Sequence, residues 1–415
     1  MKSWIVSFCL VSFPVMASSV LEVKFEDLPR LVQNQNKTAR AGVVSVEASE
    51  AKTGFLWRSY LPTLKVHGGY ENFRTGPSLT ETQPYGAAEI NINLFRGGKD
   101  SLEDSIRESQ VTATKAQAQK ELTNELTKAR QYYWSLVFNS ELVAIFKDAL
   151  DQNKSQLLSA QRRIDRGVTG QTDRIEFEIN KSVLEEEIES LKHENRIIQI
   201  GLGALVGLSK GSNLQTAEVV PHEHDDPLLG LVPEVDASAD FALPRVLSEI
   251  AEAQRRINAR WWIPQLDLYA SYNLYTQRDR EYSLLNDRDD SVFGIRMTMD
   301  LFDGGQSIRT AQSFSGLSQA YSLQAEQQRT NLIAQIEMAK EEMKHNHELI
   351  HQAEKRIEQS KIYLKRTLEE YARGVKNSPD VLNATQKYFA FRKRHAELRK
   401  DYQLSKVKLL ALVNQ

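Results

Sequence analysis

With 415 residues, 41% hydrophobic and 26% charged, the chain could form two or three ordinary domains, but this balance also suits long helices with exposed faces. The formal net charge of -2 and the lack of a long basic run give no electrostatic footprint for nucleic acid, so no such partner is expected. The only cysteine, Cys9, lies in an N-terminal segment that we expect to be removed. Disulfides, thiolate catalysis and cysteine-bound metal are then excluded.

The N-terminus has the pattern of a secretory signal peptide over residues 1–17. Lys2 is followed by an apolar stretch from Trp4 to Val15 and then by small residues around Ala17, the expected cleavage site. A retained membrane anchor is the alternative, and the short apolar run disfavours it because a bilayer span needs about 20 residues. No long apolar run follows, so a membrane-embedded chain would have to use β-strands.

The rest of the chain contains an internal duplication. Three short motifs occur twice, and they are Leu61-Pro62-Thr63-Leu64 with Ile263-Pro264-Gln265-Leu266, Phe95-Arg96-Gly97-Gly98 with Phe302-Asp303-Gly304-Gly305, and Arg166-Gly167-Val168 with Arg373-Gly374-Val375. The first pair is offset by 202 residues and the other two by 207, so the second copy has about five extra residues, placed in a loop at 276–290. We predict repeats at 18–208 and 241–415, joined by a Pro-rich and acidic connector at 209–240.

Each repeat contains two stretches in which apolar and polar residues alternate. These predict strands at 61–73, 85–95, 263–275 and 292–302, each about the length that a tilted strand needs to cross a bilayer. In the third stretch one face carries Leu266, Leu268, Ala270, Tyr272 and Leu274. Aromatic residues fall at the strand ends, as in the interfacial girdles of membrane barrels. A soluble β-sandwich is the alternative, but it would need further strands, and the remainder of the chain indicates helices only.

Four strands cannot close a barrel alone. Open sheet edges in hydrocarbon would leave backbone N–H and C=O groups unpaired at several kcal/mol each, so other copies of the chain must complete the ring. Known barrels start at about eight strands, which makes two copies the minimum, while three would give about twelve. Strand physics alone does not choose between them.

Long helices account for most of each repeat. Between Gly98 and Asp165 there is no proline or glycine, and a helix of that length would span roughly 100 Å. The second copy runs similarly from about Gln306 to Ala372, and shorter return helices follow both. Because glycine accepts the left-handed conformation that ends a helix, the Arg-Gly-Val motifs predict hairpin tips at 166–171 and 373–379.

These features resemble the TolC family of outer-membrane efflux and secretion channels, over essentially the whole mature chain. The resemblance is carried by the duplicated Pro and Gly-Gly motifs and by the pattern Tyr371-x-x-Gly374-x-x-x-Ser378-x-Asp380-Val381-Leu382-x-Ala384. It implies a mixed, mainly α fold, in which a long α-helical hairpin barrel is joined to a four-strand contribution to an oligomeric transmembrane β-barrel. It also implies a homotrimer in the lipid of the outer membrane, extending into the periplasm and docked through its tips to a periplasmic adaptor and an inner-membrane transporter.

The resemblance also assigns roles to tip residues. Asp380 matches the acidic ring that narrows the periplasmic mouth in the family, while the second ring position falls on the neutral Asn383, so the pore should be less cation-selective than a double-ring relative. Closed-state links match Asp173, Tyr371 and Lys376, and we hypothesise that Lys376 pairs with Asp173. The alternative is that these charges only solvate a turn. Adaptor docking is expected at Arg166, Gly167, Val168, Arg373, Gly374 and Val375.

No enzyme activity or cofactor is predicted, because no Ser-His-Asp or paired-carboxylate arrangement can be argued from position. The run His222-Glu223-His224-Asp225-Asp226 could bind a divalent metal, but a solvated acidic loop explains it better, so no metal site is predicted. The expected function is a passive exit duct for a tripartite efflux or type I secretion system. The alternative is a periplasmic coiled-coil structural protein that forms no pore.

Overall fold

The computed structural model describes residues 21–54, 56–74, 80–167, 170–208, 214–216, 220–221, 227–230, 238–278 and 285–413. The predicted signal segment lies outside these residues. The helices are α1 (Leu28–Gln35), α2 (Lys37–Glu50), α3 (Lys99–Asp165), α4 (Gln171–Leu205), α5 (Ala239–Ala259), α6 (Gln306–Ala372) and α7 (Ser378–Leu412). The strands are β1 (Leu21–Glu22), β2 (Thr63–Arg74), β3 (Thr80–Phe95), β4 (Leu214–Gln215), β5 (Gln265–Arg278) and β6 (Leu285–Thr298).

The mainly helical fold with a four-stranded antiparallel sheet confirms the predicted fold class. The two long helices α3 and α6 have 67 residues each, and the two return helices α4 and α7 have 35 each, as expected for two copies of one plan. None of the helices in the described part of the chain combines the length and the apolar character that a membrane crossing requires.

The described residues group into two compact units. The first contains residues up to Ala41, Lys120–Ser238 and the chain from Asn331 onward, and the second contains Gly42–Gln119 and Ala239–Thr330. The second unit holds the sheet, whose order is β2-β3-β5-β6 with every neighbouring pair antiparallel. The two repeats therefore meet at the β3–β5 pair in the middle of the sheet.

The first unit is a helical core. One cluster joins the buried side chains of α3, among them Leu126, Tyr133 and Leu136, to Leu202 of α4 and Val407 of α7. A second cluster joins one stripe of α6 to α7, and its members are Leu332, Ile336, Ala339, Met343, Ile350, Ala353, Leu398, Tyr402 and Leu409. The spacings of three and four residues give each helix the apolar stripe that these clusters bury.

Part of the predicted connector is fixed on this core. Arg399 donates to the Val220 carbonyl at 3.1 Å and also pairs with Glu141, and Gln403 donates to the Pro221 carbonyl at 2.9 Å. The short strand β4 pairs in parallel with β1. Side chains of α7 therefore supply backbone partners that this Pro-rich segment does not provide for itself.

The strand bounds differ from the predicted ones in the first hairpin. β2 occupies 63–74 instead of 61–73, and β3 begins at Thr80 instead of residue 85. The predicted strand began directly after Pro84, whereas the observed strand includes it. Pro84 has a strand partner on one side only: it pairs with Tyr70 of β2, and the pairing with β5 begins at Tyr85. A proline without an N–H is tolerated at such a one-sided position.

The second hairpin is longer at its loop end and shorter at the other. β5 and β6 pair through Thr276–Asp287 and Arg278–Leu285, within the region predicted as a loop at 276–290. The apolar alternation ends before the strands do, because backbone pairing continues beyond it through mainly polar residues. At the opposite end β6 stops at Thr298 instead of residue 302, because its partner β5 begins at Gln265, directly after Pro264.

Candidate functional site

One face of the sheet is apolar across all four strands. Register places Leu64, Ile90, Ala270 and Phe293 in one row, and Ile92, Leu268 and Ile295 in another. These side chains are not covered within the chain: Leu64 is 67% exposed and Phe293 87%. Large aromatic residues near the ends of the strands are exposed as well, and they are Trp57, Tyr60, Trp262 and Phe302. An exposed apolar face of this extent indicates a surface that contacts a membrane or another protein.

The opposite face is mainly polar. It carries Lys65 beside Glu89 and Asp267 beside Arg296 in directly paired positions. The Arg296 guanidinium lies 4.2 Å from the centre of the Tyr269 ring, a cation–π contact. One face suits lipid and the other suits water, as the alternation in the sequence predicted.

The two repeats interlock where β3 leads into α3. Gly97 and Gly98 have φ values of 64° and 71°, which favour glycine. Arg260 donates to the Gly97 carbonyl at 3.0 Å, and a Cβ on Gly97 would lie 2.8 Å from Ile263 Cγ2. The Gly-Gly motif of the first repeat thus accepts the residues that precede Pro264 in the second.

The corresponding turn of the second repeat has the same backbone and a different environment. Gly304 and Gly305 have φ values of 71° and 77°, yet no described atom lies within 4 Å of a Cβ placed on either residue. The Asp303 carboxylate accepts from Gly305 N at 2.9 Å and from Ser307 N at 2.8 Å, which fixes the turn. Its outer surface is open within one chain.

The first helical tip follows α3. Gly167 has φ 70° and donates to the Ile164 carbonyl at 2.8 Å, so it ends the helix as predicted. Arg166 is exposed. Val168, a predicted docking residue, lies outside the described residues.

The second tip is a complete Schellman motif. Gly374 has φ 82° and donates to Tyr371 O at 3.0 Å, while Val375 N donates to Glu370 O at 3.0 Å. Arg373 is exposed and the Val375 side chain is 72% exposed. In many Schellman motifs the residue after the glycine packs back on the helix, whereas Val375 is left in solvent.

A small aromatic core lies beneath the tips. The Phe177 and Tyr371 rings are 6.4 Å apart at 76°, and both residues are buried with Ala160 and Val381. The Arg163 guanidinium lies 4.1 Å from the Tyr371 ring centre and also donates to Tyr371 O. Burial raises the pKa of Tyr371, and the nearby Asp173 charge raises it further.

The two hairpins are joined by Ser378, the first residue of α7. Its hydroxyl oxygen is 2.8 Å from Asp173 Oδ1 and 2.6 Å from Glu176 Oε2 on α4. Within the described chain Lys376 is not paired with Asp173, and its Nζ lies 3.9 Å from Asp380 Oδ1 instead. Tyr371 and Asp173 do come together, and Lys376 stays outside that group.

Asp380 also caps a helix. Asn377 Oδ1 accepts from Asp380 N at 3.3 Å, and Asp380 Oδ2 accepts from Asn377 N at 3.4 Å, a reciprocal capping box at the start of α7. Asn383 follows one turn later and is exposed, while the intervening Val381 is buried. Asp380 and Asn383 thus lie on the side of α7 that faces away from the tip core.

Sequence reasoning named Ser378 in the motif but assigned it no role, and it missed Glu176 and Arg163; all three act through contacts between distant segments. Arg260 had a detectable signal, because Arg58 and Arg260 each precede the repeated proline by four residues. Among the described residues there is no group of three or more metal-ligating side chains. The candidate run at 222–226 lies outside them.

Comparison with known proteins agrees with the family resemblance. Residues 232–415 match the family model described as outer membrane efflux protein. The solved structure of CusC shares 14% identity, covers 96% of this chain and 95% of its own, and has a TM-score of 0.81. VceC from Vibrio cholerae shares 14% identity, covers 94% of this chain and 96% of its own, and has a TM-score of 0.80. CmeC from Campylobacter jejuni shares 13% identity, covers 100% of this chain and 93% of its own, and has a TM-score of 0.81. No curated protein sequence matches the chain significantly.

These findings confirm the predicted resemblance: the family model over the second part of the chain, and the fold over nearly all of it. Proteins of the matched family are channels and not enzymes, which confirms the predicted lack of enzyme activity at the level of the family.

Proposed function

We propose that this chain is a subunit of an outer-membrane channel that copies of itself close into a ring, and that this channel is the passive exit duct of an efflux or secretion system. The proposal starts from the match of residues 232–415 to an outer membrane efflux family. The observation that carries it is the four-stranded sheet with one apolar and one mainly polar face, whose outer strands β2 and β6 each pair on one side only in the described chain.

Ring closure follows from the unpaired edges. In hydrocarbon the free N–H and C=O groups of β2 and β6 need partners, and a second copy offers the complementary edge. Three copies would supply about twelve strands, within the range of known barrels. The apolar face would then meet lipid and the polar face a water-filled lumen.

A planar bilayer measurement tests the channel. The purified protein should form an oligomer that conducts ions, and a monomer that gives no pores would favour the periplasmic scaffold instead. Asp380→Asn should lower the preference of the pore for cations if this carboxylate lines the aperture. Asp151→Asn is the matched control: it removes the same charge from an exposed Lys154–Asp151 pair on a different helix, α3. Equal ion selectivity in the two variants would contradict the proposal that Asp380 lines the aperture.

The tips are the proposed docking surface for a periplasmic adaptor, which in turn would link the duct to an inner-membrane transporter. Support comes from Val375, whose apolar side chain is 72% exposed next to the exposed Arg373. A photo-crosslinking residue at Val375 should capture the adaptor in cells. The control position is Ile200, which is 74% exposed but lies at the far end of the 35-residue helix α4, roughly 40 Å from the tip end of that helix. Capture at Ile200 and not at Val375 would contradict docking through the tips.

The transported substrate is left open by this proposal. Val375 capture followed by identification of the adaptor would decide between efflux and type I secretion, because the inner-membrane partner selects the substrate. No catalytic step is part of the proposed function.

A further inference from the structure

The internal duplication provides a template for the contact between copies. Within one chain, the second strand of repeat one (β3) pairs with the first strand of repeat two (β5). By the same rule, the second strand of repeat two (β6) would pair with the first strand of repeat one (β2) of a neighbouring copy. This inference rests on the proposed ring, and it goes further by fixing which residues face each other.

The register follows from the two sequence offsets. Residues of β3 map onto β6 by adding 207, and residues of β5 map onto β2 by subtracting 202. The observed pair Asn93–Asp267 then becomes Asp300 opposite Lys65, and Ile90–Ala270 becomes Met297 opposite Gly68. We propose that neighbouring copies join β6 to β2 in this register, with Asp300 of one copy facing Lys65 of the next.

Two independent features of the sequence agree with this register. It places Met299 opposite Val66, and both side chains belong to the apolar face and are exposed in one chain, at 44% and 77%. A slip of one residue would bring the apolar set onto the polar face. The register also sets a carboxylate against an ammonium at Asp300 and Lys65, whereas a slip of two residues would place Lys65 opposite Thr298.

The Gly-Gly turn extends the same contact. In the first repeat Gly97 accepts a hydrogen bond from Arg260 and lies against Ile263. The equivalents of Arg260 and Ile263 are Arg58 and Leu61, which are exposed, and the equivalent of Gly97 is Gly304, whose outer surface is open. Arg58 of one copy would therefore donate to the Gly304 carbonyl of its neighbour, with Leu61 packed on the turn.

This contact also explains the early end of β6. β3 reaches Phe95 because its last residues pair with β5, whereas the equivalent position in β6 is Phe302, four residues beyond Thr298. Residues 299–302 continue the apolar alternation, and Leu301 and Phe302 are 79% and 83% exposed. In the assembled ring β6 would lengthen toward Phe302 against β2 of the next copy.

Disulfide crosslinking tests the register. In a Cys9→Ser background, Lys65→Cys with Asp300→Cys should form disulfides between copies on mild oxidation. Products of two and three chain masses should appear on a non-reducing gel and disappear on reduction. Asn93→Cys with Asp267→Cys is the matched control, because this equivalent pair lies within one chain and should lose its free thiols with no change in mass.

Lys65→Cys with Thr298→Cys tests the alternative register. Preferential crosslinking of this pair would overturn the proposed register and leave the ring intact. If neither seam pair crosslinks while the in-chain control does, the oligomeric state by native mass spectrometry separates the remaining cases. An intact oligomer would then overturn only the register, whereas a monomer would overturn the proposed function as well.

Gly304→Ala tests the turn. Its Cβ meets no described atom in the chain but would meet Leu61 of the neighbour, so the crosslinking yield of the Lys65–Asp300 pair should fall by more than half. Gly167→Ala is the matched control, because Gly167 has φ 70° against 71° for Gly304 and equally open surroundings. Equal yields in the two variants would contradict packing on the Gly304 turn.

Discussion

Replacing Ser378 by alanine should loosen the contact between the two helical tips. The Ser378 side chain is buried, at 1% exposure, and its hydroxyl lies within hydrogen-bond distance of Asp173 and Glu176 on α4. One hydroxyl carries one proton, so it donates to one carboxylate at a time. A hydrogen bond to a charged group contributes about 1.5–3 kcal/mol, and this is the expected loss.

The lost hydrogen bond is a tertiary contact between two helices, because Ser378 is the first residue of α7 and both acceptors belong to α4. A change of that size should raise the local opening equilibrium roughly 10- to 150-fold. Hydrogen–deuterium exchange of the protein in detergent micelles, followed on peptides from the first turns of α4 and α7, measures it directly.

Ser405→Ala is the matched control for this experiment. Ser405 is also 1% exposed, but its hydroxyl donates to the Asp401 carbonyl within α7 itself, at 3.0 Å. It should therefore leave exchange at the tips unchanged. Wild-type protection at the tips of the Ser378 variant, or an equal loss in both variants, would refute the claim that Ser378 couples the hairpins.

Three further predictions concern the capping, packing and charge of single residues. Asn377→Ala removes the capping acceptor and should destabilise the first turn of α7 by about 1 kcal/mol, visible as faster amide exchange there; unchanged exchange would argue against the cap. Phe177→Ala should cost about 3–5 kcal/mol of tip stability in denaturant-dependent exchange, and Phe177→Leu less; equal costs would argue against tight packing. Arg255, together with Arg256, lowers the pKa of Glu252 from 4.5 to about 2, so the stabilisation is present above pH 4.5 and is lost as pH falls toward 2. Glu252→Gln should therefore show a smaller drop in melting temperature between about pH 5 and pH 3 than the wild type, and an equal drop would exclude this pair as a source of acid sensitivity.

Much of the fold could be predicted from the conformational preferences and the apolar pattern of neighbouring residues. The ends of α3 and α6 follow from Gly167 and Gly374, whose positive φ values only glycine adopts without strain. The apolar alternation identified all four sheet strands, because a side-chain period of two is a property of the strand itself. The duplication then predicted helices of matching length.

The ends of strands and the tip contacts could not be obtained in this way. β3 extends past Pro84 because the proline happens to face a side without a partner, which depends on where β5 begins. Ser378 meets Asp173 across 205 residues of sequence, so no local pattern reports the contact. Lys376, by contrast, lies near Asp380, four residues away in the sequence and across the first turn of α7.

The two tips begin their return helices in unequal ways. The start of α7 is fixed by the reciprocal bonds of Asn377 and Asp380, whereas the residue in the capping position before α4 is Gly170, which has no side chain with which to cap that helix. If three copies close into a ring, six helical tips surround its opening, and tips with a capped return helix alternate with tips without a cap. A force applied evenly to the opening would then move the uncapped tips first. The opening would deform with the threefold symmetry of the copies and not with the sixfold symmetry of the hairpins.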